Sequence, residues 1–141
     1  MSAQIDRLIA AARAAAQNAY APYSGYHVGA ALLLSDGTII SAANFENASY
    51  GMTLCAETVA IAKASSEGKL DQICALAVIG GPNGQIGIHS VTPCGRCRQI
   101  IKEVADITAS DIPVHCAHDG GCDTHRLSEL LPHAFGPANL K

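Results

Sequence analysis

The sequence predicts a layered α/β protein, and three observations carry that prediction. Segments with apolar residues at helical spacing alternate along the chain with short aliphatic and β-branched runs. The composition is 49% hydrophobic and 15% charged, with 4% aromatic residues and no tryptophan, so Ala, Ile, Leu and Val must build the interior. At 141 residues the chain is the size of one compact domain, and residues 1–141 are read as a single unit without repeat, linker or low-complexity tract.

The first helix is expected over about residues 5–18, where Ile5, Leu8, Ile9, Ala12 and Ala16 share one face before Pro22 and Gly25 break the pattern. It should cover a sheet. Two extended runs follow, "HVGAALLL" and "TIISAANF", and the "SDG" between them suits a tight turn, so they should pair antiparallel. A helix over about 56–66 then leads through Gly68 into a strand over 74–79, and "GGPNGQIG" reads as a surface loop. A helix over 96–104, the strand "IPVHCAH", a turn at "DGG" and a short helix over "LSELLP" complete the order.

Charge and hydropathy exclude some partners. A formal charge of −3 and a pI near 6.0, with no local cluster of Lys and Arg, argue against long nucleic acid. No apolar run approaches the roughly 20 residues a membrane helix needs, and a cytoplasmic location is expected. The six cysteines are read as reduced thiols rather than a disulfide scaffold. Cys74 in "QICALAVIG" and Cys116 in "IPVHCAHD" are expected to be small buried hydrophobes. His115, His118 and His125, in strand, turn and helix-start contexts, form no evident second metal site.

The chemistry concentrates in two stretches. "TLCAETVAIAKA" places Cys55 and Glu57 where a helix begins, and "TPCGRCRQII" does the same with Cys94 and Cys97. Helix N-termini expose amide N–H groups and the positive end of the dipole, which favour thiolate over thiol and so metal ligation. Cys55, Cys94 and Cys97 are candidate ligands of one zinc. Three protein ligands leave a position for water, whereas a structural zinc is closed by four. Glu57, one residue removed from a ligand, can then act as a general acid and base toward that water. The alternatives are a redox Cys-x-x-Cys pair and a non-catalytic zinc module closed by Cys74, Cys116, Cys122 or a histidine.

A ligand followed two residues later by glutamate, and further on by Pro-Cys-x-x-Cys, is the pattern of the zinc deaminases. With "YAPYSGYHVGAALL", "NFENASYG" and "ELLPHAF", the chain resembles the small cytidine deaminases from Tyr20 to Phe135. The resemblance implies a three-layer α/β/α fold around a mixed five-stranded sheet. It implies one zinc per chain and hydrolytic deamination at C4 of the pyrimidine, with Glu57 shuttling protons. It also assigns Asn44 and Glu46 of "NFE" to the ribose hydroxyls, and Tyr26, Ala56 and Phe135 to substrate contacts. In that family Phe135 is offered by a neighbouring subunit, so a homotetramer is expected; apolar helices such as "AETVAIAKA" are consistent with it.

The chain departs from the common family motif Cys-Ala-Glu-Arg, carrying Thr58 at the fourth position, and it has Arg96 between Cys94 and Cys97. Both features are similar to blasticidin S deaminases of the same superfamily, the alternative reading, although those lack the "NFENASY" motif. Two readings of Arg96 stand side by side: it hydrogen-bonds to a thiolate in place of the missing arginine, aided by the N-terminus of its own helix and by Arg98, or it faces solvent, the commoner fate of arginine.

Overall fold

A computed structural model describes residues 2–141. Helix α1 (Ala3–Ala16) begins two residues before its expected start because Ser2 caps it, its side chain accepting from the Ile5 amide at 3.2 Å. Strands β1 (Tyr26–Leu34) and β2 (Ile39–Ala43) pair antiparallel as expected. Their turn is held by Asp36, whose carboxylate accepts from the Thr38 amide at 3.0 Å and its hydroxyl at 2.7 Å. Helix α2 (Ala56–Ser66), strand β3 (Ile73–Pro82), helix α3 (Gly95–Thr108), strands β4 (Pro113–His118) and β5 (Gly121–Arg126) and the short helix α4 (Leu127–Leu130) follow.

One mixed sheet runs in the order β2-β1-β3-β4-β5, with only the β3–β4 pair parallel. Alternate strand residues face opposite layers. On one side Leu8, Ala12 and Ala16 of α1 pack against Ala31, Leu33, Ala77 and Ile79. On the other, Ala56, Ala60 and Ala64 of α2 and Ile101 and Val104 of α3 cover Leu32, Leu76, Val78 and Val114. The result is the three-layer α/β/α arrangement. Gly29 lets α1 approach β1 this closely, since a Cβ there would lie 1.9 Å from the Ala12 carbonyl oxygen.

Four sequence expectations are corrected. The residues themselves suggested four strands; the fifth, β5, spans "GCDTHR" and places His125 in a strand rather than at a helix start. Strand β3 continues through Gly80 and Gly81, which pair with Val28 and His27, so the loop begins only after Pro82. Helix α3 runs four residues beyond its expected end. Cys74 is exposed rather than buried, because the β1–β3 register shifts from Leu33↔Ala75 to Leu34↔Ile73 and leaves Cys74 as the unpaired extra residue. Cys116 is fully buried, and burial pushes its thiol up to about 12, the state of an inert small hydrophobe.

Candidate active site

Both functional helices start on a cysteine. Cys55 is the N-cap of α2 and Cys94 that of α3, each with extended backbone angles, and neither sulfur caps its own helix. The two sulfurs instead face each other at 3.7 Å, and with Cys97 from the first turn of α3 all three lie within 4.8 Å of one another. Two helix dipoles converge on this point, so the surrounding field favours negative charge on sulfur. Hydrogen bonding between the free thiols of Cys55 and Cys97 lowers the pKa of Cys55 and, with burial, pushes Cys97 well above its ordinary value. Among the described residues no fourth His, Cys, Asp or Glu joins this group. Three converging soft donors fit one zinc and leave a coordination position unclaimed by the chain.

Glu57 occupies the second helical position of α2 and is only 4% exposed. Burial raises its carboxyl pKa, moving the group toward the range in which it can both take and return a proton. Glu57 lines a cleft of about 260 Å³ together with Cys55, Cys94, Ala56, Asn44, Glu46 and Tyr26. Seven residues singled out from the sequence thus come from β1, the end of β2 and the starts of α2 and α3 to one depression. Thr53, Val91 and Thr92 also line it and were not foreseen. Their only sequence signal is position, within three residues of a cysteine ligand.

Asn44 and Glu46 are held before any substrate arrives. Asn44 Oδ1 accepts from the Val28 amide at 2.9 Å while its Nδ2 donates to the Tyr26 carbonyl at 2.9 Å, which binds the end of β2 to β1. Glu46 Oε1 accepts from the amides of Tyr23 and Ser24 at 3.0 and 3.1 Å, and Oε2 accepts from the Ser24 hydroxyl. The Ser24 hydroxyl leads the donors that hold its carboxyl below the usual carboxylate range. Each side chain keeps hydrogen-bonding capacity to spare.

Phe135 is 56% exposed and does not line the cleft of its own chain. Neither arginine is bonded to a sulfur. Arg96 Nη1 donates to the Thr53 carbonyl at 3.4 Å rather than to a sulfur. Arg98 donates to the carbonyls of Pro93 at 2.7 Å and Leu130 at 2.8 Å and to Thr92 Oγ1 at 3.2 Å, tying the start of α3 to α4. The side chain that does reach a thiol is Thr58, whose Oγ1 lies 3.3 Å from Cys97 Sγ.

Comparison with known proteins agrees with this geometry. A sequence model of the cytidine and deoxycytidylate deaminase zinc-binding region matches residues 2–110. A cytidine deaminase of Halalkalibacterium halodurans is 45% identical over 129 residues, covering 91% of each chain. The crystal structure of cytidine deaminase from Burkholderia pseudomallei superposes with a TM-score of 0.81 at 36% identity, covering 96% of this chain and 100% of that one. A blasticidin-S deaminase of Bacillus cereus is 39% identical over 109 residues, 76% of this chain and 75% of its own. Fold, sulfur triad and sequence agree, and the chain belongs to the cytidine and deoxycytidylate deaminase zinc-binding family.

Proposed function

We propose that the protein hydrolyses the exocyclic C4 amine of cytidine, and of deoxycytidine, giving uridine or deoxyuridine and ammonia in the cytoplasmic salvage of pyrimidines. The observation that carries this reading is a buried glutamate beside three converging cysteine sulfurs in one small cleft. Cys55, Cys94 and Cys97 would hold a zinc ion, which when bound would supply the Lewis acidity that lowers the pKa of a water. Glu57 would take one proton from the attacking water as its oxygen bonds to C4 and deliver it to N3, then pass the second proton of that water to the amine, so that the C4–N bond breaks and ammonia leaves. Asn44 and Glu46 take the sugar hydroxyls with the hydrogen-bonding capacity they retain, while Tyr26 and the Ala56 backbone contact the base.

The test is a panel of cytidine, deoxycytidine, cytosine, cytidine monophosphate and blasticidin S given to zinc-loaded protein. The two nucleosides should be converted. Conversion of blasticidin S alone would assign the second reading, which the Bacillus cereus relative favours, and conversion of none would refute both. Three free thiols that must stay reduced to hold metal support the cytoplasmic assignment; recovery only from the secreted fraction would overturn it.

Asn44→Ala and Glu46→Ala should raise KM about tenfold to a hundredfold, as removal of hydrogen bonds worth about 1.5–3 kcal/mol to a charged or buried partner implies. Turnover should fall much less, because neither group touches C4. Glu46→Ala also strands the three donors it satisfies, so melting is measured beside kinetics. Unchanged KM in both variants would refute the sugar role.

The proposal includes a homotetramer in which Phe135 completes the cleft of a neighbouring copy. Exposed aromatic rings support it: Tyr20 and Phe45 lie 5.9 Å apart and Tyr23 and Tyr50 5.8 Å apart, all at least half exposed or nearly so. Sedimentation should give four chains per particle, and Phe135→Ala should lower kcat/KM. A fully active monomer would overturn the assembly.

A further inference from the structure

Three thiolates and a zinc dication carry a net charge of −1, and surplus charge on sulfur makes the metal a poorer Lewis acid unless nearby donors withdraw it. Cys97 is the member with least access to water, being fully buried. The charged side chains nearest in sequence do not serve it, since Arg96 and Arg98 are both engaged with carbonyl groups. Thr58 does reach it, at 3.3 Å.

The position follows from the fold. Thr58 is the third helical residue of α2, and Cys97 the third of α3, so the two helix starts meet side by side at this contact. A threonine on a helix is stiff at χ1, and its hydroxyl commonly turns back onto a carbonyl of the preceding turn. Here, among the described residues, its one hydrogen-bond partner is the sulfur. A metal-ligating thiolate has no proton to give, so in the loaded site the hydroxyl must be the donor.

We propose that Thr58 is a positioning residue of the metal centre: its hydroxyl donates to the Cys97 thiolate, fixes the direction of that sulfur and draws charge from it. The proposal rests on the reading of Cys55, Cys94 and Cys97 as zinc ligands.

The experiment uses the full chain loaded with zinc, and separately with cobalt(II), whose sulfur-to-metal charge-transfer band reports the electron richness of the thiolates. Thr58→Val keeps the shape and removes the hydroxyl; Thr58→Ser keeps the hydroxyl and removes the methyl. Loss of the donor should move the band to lower energy, speed metal loss to a chelator by about tenfold to a hundredfold, and lower kcat with KM unchanged. Thr58→Ser should stay close to wild type, Thr58→Ala should behave as Thr58→Val, and Arg96→Ala should leave the band in place. A band and metal retention unchanged in Thr58→Val and Thr58→Ala would overturn the proposal, as would a shift produced by Arg96→Ala instead. A wild-type protein with no sulfur-to-cobalt band would overturn the ligand assignment itself, and this role with it.

Discussion

Glu57→Ala is expected to reduce cytidine turnover by at least about a hundredfold, and toward ten-thousandfold, while one zinc per chain remains bound. General acid–base groups contribute on that scale, and here a single carboxylate is proposed to serve the water, the ring nitrogen and the leaving amine. The structure makes the loss specific. Glu57 is 4% exposed at the second position of α2, its pKa raised by burial, so no bulk water stands ready to replace it. It lies outside the sulfur triad, so the metal has no reason to leave. Removing a buried carboxyl that burial already disfavours in its charged form should also leave melting unchanged or raised. The checks are kcat, zinc content and melting temperature on one preparation. Near-normal turnover with zinc bound would sink the proton-shuttle role, and loss of zinc would show that Glu57 belongs to the metal site instead.

Cys94→Ala should abolish turnover by a different route, taking the zinc with it. Cys94 is exposed and its sulfur caps nothing, so the metal-free fold should survive the substitution. What disappears is the stabilisation that a bound ion confers through mass action, which at a concentration one hundred times its Kd is about 2.7 kcal/mol. Wild-type protein stripped by a chelator should therefore resemble Cys94→Ala in melting temperature and in inactivity. Added zinc should rescue the wild type alone. A variant that keeps one zinc and its activity would show that Cys94 is not a ligand.

The parts of the molecule legible in the sequence are those that local pattern determines. Helix α2 starts and ends where its alanine-rich periodicity and Gly68 put it, and the β1–β2 hairpin follows from "SDG" between two aliphatic runs. The cysteine spacing and Glu57 were readable because two helix starts carry them. Strand β5 was not readable, since "GCDTHR" has no apolar alternation: it is an edge strand, mostly exposed, and owes its conformation to pairing with β4. Contacts between elements were equally hidden. The partners of Arg96, Arg98 and Thr58 depend on how α2 and α3 meet, which no spacing within either helix encodes. The anchoring of Asn44 and Glu46 likewise needs residues some twenty positions earlier in the chain.

The sheet order has a consequence for synthesis. Cys55, Cys94 and Cys97 all precede β4, so the metal-binding sulfurs emerge from the ribosome before the strand that closes the free edge of β3. During the interval, on the order of seconds at about 5–20 residues per second, before β4 follows Cys97 out, β3 can pair with β1 on one side only, and its other edge, with the apolar Leu76 and Val78 beside it, awaits β4. Open apolar edges of this kind are where nascent chains stick to one another. Zinc captured in that interval would draw α2 and α3 together over the unfinished sheet, so a shortage of the metal should show first as poor yield of soluble protein, before any purified molecule is assayed.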